Sequence, residues 1–146
     1  MKQLFASGFI VGAAALVMST SSAQQKAVEK SGQHSEIRLE HLVAGHLQEL
    51  NGKYKLRVTE VTYDPSGFIG LHHHVGPGIR CVTSGQLSYE QPEKTAVYKQ
   101  GDCFFESGDV AHTAHNLTKK PVILLNFELL PTSWSEGSAI PVPITP

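Results

Sequence analysis

The sequence contains little cysteine, little charge and no long hydrophobic segment after its N-terminus. Of its 146 residues, 2 are cysteine, 1 is tryptophan and 17% are charged, with 12 lysines and arginines against 13 aspartates and glutamates. A balanced charge without a basic cluster argues against nucleic-acid binding. No CxxC pair occurs, so neither a thioredoxin-like motif nor a structural zinc site is indicated. No basic amphipathic helix points to binding at a membrane surface.

The one apolar stretch of note lies at the N-terminus. Lys2 precedes an apolar run over residues 4–18, and Ser21, Ser22 and Ala23 offer the small side chains that a signal peptidase requires. We therefore predict a secretory signal peptide over residues 1–23, and not an uncleaved anchor, because a bilayer span needs about 20 apolar residues. The protein is then expected to be exported, either to the periplasm or out of the cell. Cleavage of the signal peptide would remove Lys2 and change the formal net charge from −1 to −2.

The remainder divides by composition into three parts. Residues 24–53 are polar at first and are predicted to be a flexible lead-in followed by a first strand at 36–39. Residues 54–130 carry the regular pattern of a folded domain. Residues 131–146 form a proline-rich tail, which is expected to lie along the outside without regular structure.

The central part alternates short apolar runs with turn residues. Residues 54–63 alternate with a period of two, and residues 64–67 (Asp-Pro-Ser-Gly) are predicted to end that strand. Further strands are predicted at 68–74, 79–83, 86–90, 95–99, 103–106, 112–116 and 122–130. About eight short strands punctuated by glycine and proline, without a long helix, indicate an all-β fold, most naturally a jelly-roll barrel.

Cys81 and Cys103 both lie in predicted strands. An exported protein meets an oxidising compartment, where a disulfide can persist. Free cysteines, in contrast, commonly pack as small buried apolar residues. The sequence leaves both alternatives open and slightly favours the free pair.

A histidine cluster is the most informative feature of the sequence. His72 and His74 lie two residues apart on one predicted strand, so their side chains share a face, whereas His73 points to the other. A third histidine, His112, lies on a distant strand that follows the Gly101-Asp102 turn. Neutral imidazole is the commonest metal-binding side chain. The pattern therefore predicts a metal site formed by His72, His74 and His112.

These residues resemble the two sequence motifs of the cupin superfamily. The first motif places a glycine, His-x-His, a glutamate and a second glycine at fixed spacing; here His72, His74 and Gly85 match. The second motif contains Gly101, His112 and Asn116 at their expected places, although serine and aspartate replace its proline and second glycine. The resemblance spans residues 54–130 and implies a double-stranded β-helix, that is, a jelly-roll barrel. It also implies a homodimer, because cupins often pair.

The main departure from the family pattern is Gly78, which stands where the metal-binding glutamate is expected. The resemblance then points to three-histidine iron dioxygenases, which have more open positions for substrate and oxygen. Thiol dioxygenases have cysteine at this position and are not supported. Five carboxylates are candidates for a replacement ligand, with a solvated surface role as the default for each: Glu106, Asp109, Glu60, Glu90 and Glu128. Glu106 is the first of them to consider. The expected cofactor is a divalent transition metal, with Fe²⁺ favoured and Mn, Ni, Cu or Zn as alternatives.

Strand alternation identifies further residues that face the predicted site. If position 78 faces the metal, Arg80 and Val82 share that face, and Arg80 could orient an anionic substrate group. Its alternative role is to pair with a protein carboxylate. By the same count Ala114 and Asn116 share the face of His112. The residues most simply assigned to the core are Phe104, Phe105, Phe127, Leu125 and Tyr89. Some of them are expected to line an apolar pocket above the metal.

The favoured function is metal-dependent dioxygenation of a small phenolic or otherwise enolisable molecule. One alternative is a non-catalytic cupin that captures a small molecule or metal. Another is an isomerase or lyase that uses the metal as a redox-silent Lewis acid. Each alternative has a small-molecule partner, and none requires nucleic acid or, once the signal is cleaved, a membrane.

Overall fold

The structure is a computed structural model that describes residues 27–142, so the predicted signal peptide lies outside the described residues. Nine strands and no α-helix occur in this range. The strands are β1 (Lys30–Leu42), β2 (Tyr54–His74), β3 (Gly78–Ser84), β4 (Gln86–Gln91), β5 (Lys94–Lys99), β6 (Cys103–Glu106), β7 (His112–His115), β8 (Val122–Pro131) and β9 (Ala139–Pro141). Within 27–142 no helix has the length and apolar character needed to cross a membrane.

The strand β2 connects the two halves of the barrel. Its first half pairs with β8 and continues through β3 to β6, whereas its second half pairs with β7 and continues through β4 to β5. Both halves are antiparallel, and β1 and β9 also pair with β2. The prediction of an all-β jelly-roll barrel is confirmed.

The predicted break at residues 64–67 is wrong, because β2 passes through this segment as one strand. The chain bends there instead: Ser66 has φ of 64°, in the left-handed region. Asn116 holds the bend by donating from Nδ2 to the carbonyl oxygens of Tyr63 and Asp64 at 3.0 and 2.9 Å, and to Lys120 O at 2.8 Å. The two N–H groups of this fully buried amide are shared among the three carbonyl oxygens, which holds the bend in place.

Two further expectations about the chain ends are wrong. The first strand is longer than residues 36–39, because Lys30–Leu42 pairs along β2, and residues 30–35 of the polar lead-in are therefore part of the sheet. The tail is not wholly irregular, since Ala139–Pro141 pairs with the His72–His74 end of β2. In both cases the backbone hydrogen bonds of β2 recruit a segment whose own side-chain pattern predicts no strand.

Cys81 and Cys103 are directly paired across β3 and β6 and form a disulfide, with Cα atoms 4.1 Å apart. The slight preference for free cysteines is therefore wrong. Strand alternation cannot reveal which strands are neighbours, and it is the β3–β6 register that brings the two sulfur atoms together.

Apolar residues fill the middle of the barrel, and a cavity of about 710 Å³ remains inside it. The core cluster consists of Val61, Tyr63, Ile69, Val82, Leu87, Ala114, Val122 and Leu124. Phe105 and Phe127, expected in the core, are 68% and 42% exposed on the outer face. Phe104 and Tyr89 face inward, as predicted.

Candidate metal centre

Two neighbouring strands bring the three predicted histidines together inside the barrel. His72 on β2 lies directly opposite His112 on β7, and His74 is two residues further along β2. One ring nitrogen from each histidine lies within 4.8 Å of the other two. His73 and His115 lie outside this cluster; the ring of His115 stacks on Phe68.

Each Nδ1 atom of the cluster has its own hydrogen-bond partner. His72 Nδ1 lies 2.7 Å from Gly70 O, and His112 Nδ1 lies 3.1 Å from Val110 O. Because a carbonyl oxygen can only accept, both Nδ1 atoms must donate. In the neutral ring the proton is then on Nδ1, and Nε2 has a free lone pair.

His74 has the same arrangement through a residue of the tail. Its Nδ1 lies 3.0 Å from Ser138 Oγ, and Ser138 donates its hydroxyl proton to Glu128 Oε1. Since that proton is committed to Glu128, Ser138 Oγ accepts from His74 Nδ1. All three histidines therefore direct an unprotonated Nε2 into the cluster.

Burial keeps these imidazoles neutral. His72 and His112 are each 2% exposed, and burial lowers the pKa of each to about 4. Burial and the neighbouring Arg80 guanidinium lower the pKa of His74 further. Three neutral imidazoles with converging lone pairs are the donor set that a divalent transition metal requires, so these residues fit such an ion.

A buried ion-pair network lies beside the histidines. Arg80, 2% exposed, places Nε at 2.7 Å from Glu106 Oε2 and Nη2 at 3.0 Å from Glu128 Oε1. The alternative role for Arg80, pairing with protein carboxylates, is therefore what the structure shows. A direct role in orienting substrate stays a prediction. Glu106 and Glu128 are buried, contrary to the default of a solvated surface role.

Aromatic and apolar side chains form the rest of the cavity around the centre. The ring of Tyr89 stacks on His112 with centroids 4.6 Å apart, and Phe104 lies 5.0 Å from Tyr89. Burial, together with the charge of Glu106, raises the pKa of the Tyr89 phenol, which is therefore neutral at ordinary pH. A planar organic molecule would find an apolar surface beside the histidines.

Sequence reasoning missed Ser138 and left Glu128 in a surface role. Glu128 could have been found, because it shares the inward parity of Val122, Leu124 and Leu130 on β8, where a charged residue is unusual. No local signal identifies Ser138, which reaches the centre only because β9 pairs with β2.

Comparisons with known proteins agree with the fold. The family model described as a cupin domain matches residues 59–128. Among curated proteins none matches this chain. Three similar solved structures show the fold alone, since identity to each is 20% or lower.

The first is a cupin domain from Bordetella pertussis Tohama I, with 19% identity, TM-score 0.52, and coverage of 69% of this chain and 96% of that chain. The second is a cupin-like protein from Thermotoga maritima, with 18% identity, TM-score 0.52, and coverage of 75% and 77%. The third is a conserved protein with a double-stranded β-helix domain from Klebsiella pneumoniae, with 20% identity, TM-score 0.52, and coverage of 73% and 84%.

Proposed function

Because this chain belongs to the cupin superfamily, we propose that it binds one divalent transition metal through His72, His74 and His112 and acts on a small organic molecule. The observation that supports metal binding is the shared orientation of the rings. Each Nδ1 donates to an acceptor in the protein, so each Nε2 presents a lone pair to the same point. A purely structural cluster would have no need for three unpaired acceptors in a buried site.

The proposed activity is dioxygenation of a phenolic or otherwise enolisable molecule. A bound iron(II) ion would supply Lewis acidity and one-electron redox chemistry toward dioxygen. The protein's own contribution is a partly open cavity in which Tyr89, Phe104 and Leu87 offer an apolar surface beside the histidines. This surface would hold a planar substrate against the centre and exclude water from it.

The main rival is a non-catalytic binding protein, and the pairing of Arg80 favours it. The dioxygenase proposal assigns Arg80 to an anionic substrate group, but both Glu106 and Glu128 already bind its guanidinium. Arg80 Nη1 is nevertheless buried without a partner in the described chain. Tight stoichiometric binding of a ligand without oxygen uptake would identify the rival. Turnover that persists without oxygen, with zinc or manganese bound, would identify an isomerase or lyase.

The first test is the metal content of the protein purified from its native compartment. We expect one metal ion per chain, with iron favoured, and loss of that metal in His112→Ala. The matched control is His115→Ala on the same strand, which removes an outward-facing imidazole and should keep the metal. A wild-type protein that holds no metal, and takes up none when reconstituted without oxygen, would overturn the proposal. If iron is present, substrates are screened by oxygen consumption.

Export and pairing also belong to the proposal. The Cys81–Cys103 disulfide supports export to the periplasm or outside the cell, because disulfides persist in oxidising compartments.

A homodimer is supported by an apolar row on the outer face, which we call the outer stripe: Phe105, Ile79, Phe127, Val58 and Leu39. These residues are direct cross-strand neighbours from β6 to β1, and four of them are more than 40% exposed. A continuous exposed apolar row is typical of a protein interface.

A further inference from the structure

Glu106 lies against the same nitrogen atoms that converge at the candidate metal centre. Its Oε1 is 3.2 Å from His112 Nε2, and its Oε2 is 3.3 Å from His74 Nε2. The residue is 7% exposed, at the end of β6. These separations are close to those between adjacent ligands around one metal ion, whose bonds to nitrogen and oxygen are about 2.0–2.2 Å long.

Hydrogen bonding alone does not explain these contacts. The Nε2 atoms of His74 and His112 have lone pairs, because the Nδ1 atoms carry the ring protons. A carboxylate oxygen also has only lone pairs. Two acceptor nitrogens, His74 Nε2 and His112 Nε2, therefore face the two acceptor oxygens of Glu106 in a buried place. A proton on Glu106 could satisfy one of the two contacts and not both. A cation between Glu106 and the two imidazoles accepts a lone pair from each side chain and so satisfies both contacts.

Arg80 supports this arrangement and leaves lone pairs of the Glu106 carboxylate available to a metal ion. Its Nε lies 2.7 Å from Glu106 Oε2, yet the N–H is not aligned for a hydrogen bond, and Oε2 has no hydrogen-bond partner within residues 27–142. The guanidinium therefore supplies a compensating charge that makes burial of Glu106 tolerable. Glu128 holds the other side of the same guanidinium.

The position of Gly78 explains why the carboxylate comes from β6. Gly78 and Glu106 are direct cross-strand partners, so side chains at the two positions project to the same side of the sheet. A Cβ atom at position 78 would lie 2.4 Å from Arg80 Nη1 and 2.7 Å from Phe127 O. The Arg80 guanidinium thus occupies the space of a side chain at 78, and Glu106 reaches the centre from the neighbouring strand.

We propose that Glu106 is a fourth protein ligand of the metal, supplied by β6 in place of the glutamate that position 78 lacks. This inference rests on the proposed function, namely metal binding by the three histidines. It changes the expected chemistry of the centre, because a carboxylate lowers the net charge of the bound ion. It also leaves fewer open positions for substrate than the three histidines do alone.

The test compares metal binding by the metal-free wild type with that of Glu106→Gln and Glu90→Gln. Cobalt(II) is added as an optical probe of coordination, and zinc affinity is measured by competition with a chromophoric chelator. We expect Glu106→Gln to weaken zinc binding by roughly 100-fold or more, since even partners outside the ligand set are worth about 10–100-fold. The cobalt absorption bands should also shift. Glu90→Gln is the matched control, because Glu90 is an exposed glutamate on β4, away from the histidines, and its replacement should leave the cobalt spectrum as in the wild type.

A second variant separates ligation from simple charge balance. Glu106→Asp keeps the negative charge and withdraws the carboxylate by one methylene group. We expect it to weaken zinc binding and to alter the cobalt spectrum, whereas a purely electrostatic role would leave both nearly unchanged. It also serves as the test if Glu106→Gln does not fold.

The outcomes distinguish the inference from the function on which it rests. If the wild type binds metal and both Glu106 variants keep its affinity and cobalt spectrum, the fourth ligand is overturned and the three-histidine site stands. If the wild type binds neither cobalt nor zinc, the proposed function and the inference both fall.

Discussion

Ser138 joins the C-terminal tail to the metal centre by accepting a hydrogen bond from His74 Nδ1 at 3.0 Å while its own proton goes to Glu128. A serine in this position determines which nitrogen of His74 is protonated. The tail segment that carries it pairs with β2 through Ala139–Pro141. The tail is therefore a part of the site.

Replacing Ser138 should weaken metal binding without removing a ligand. In Ser138→Ala, His74 Nδ1 loses its acceptor and the ring can adopt the other tautomer or rotate. We expect metal affinity to fall by about 10–100-fold, the usual effect of removing a partner outside the ligand set. Chelator competition measures it, with Ser133→Ala in the exposed part of the tail as control. Equal affinity in the two variants would contradict this role for Ser138.

The disulfide should contribute to stability by connecting β6 to its neighbour. Cys81 and Cys103 are 22 residues apart in sequence, and a cross-link that closes a loop of this length stabilises a protein by about 3 kcal/mol. We expect the double variant Cys81→Ser/Cys103→Ser to lose about this free energy of unfolding in urea titrations. Addition of a reductant should lower the stability of the wild type and leave that of the double variant unchanged. A wild type insensitive to reductant would argue against the bond.

The buried Tyr63 should make the protein less stable in alkali. Burial raises the pKa of its phenol from 10.0 to about 12, so the folded chain retains a proton that the unfolded chain releases above pH 10. Stability is then complete below pH 10 and is lost as pH rises toward 12, by up to about 1.4 kcal/mol for each unit of the shift. Urea titrations at several pH values should show a shallower decline in Tyr63→Phe. Tyr54→Phe, on the outer face, is the control and should follow the wild type.

A charge in the outer stripe should prevent pairing of two chains. Phe105 is 68% exposed at the edge strand, beside Ile79. We expect the wild type to be a dimer and Phe105→Glu to be a monomer in size-exclusion chromatography with light scattering. Leu117→Glu changes a residue that is 76% exposed outside the stripe and should remain dimeric. A wild type that is monomeric over a wide concentration range would rule out the homodimer.

Much of the centre follows from local sequence. The two-residue spacing of His72 and His74 places them on one face of any strand, and the parity of Gly78 and Arg80 is equally independent of the rest of the fold. The turn residues also locate most of β3 to β8 to within a residue or two. These features depend on interactions between near neighbours in the chain, which the order of residues specifies directly.

Other features depend on which strands are neighbours and in what register. Cys81 meets Cys103, and Gly78 meets Glu106, only because β3 pairs with β6 in one register out of several. Residues 54–60 illustrate the same limit, since alternation reveals two faces but not that Lys55 and Arg57 are on the buried one. Long-range pairing is decided by the packing of the whole barrel.

The sequence by itself determined an all-β chain with three histidines disposed to hold a metal. The tertiary structure decided what surrounds them: Ser138 from the tail, Glu128 from β8 and Glu106 from β6, with Arg80 between the two carboxylates. The physical reason is that strand periodicity sets the direction of each side chain within its own strand. The partner that the side chain meets is set by backbone hydrogen bonds to segments far away in sequence.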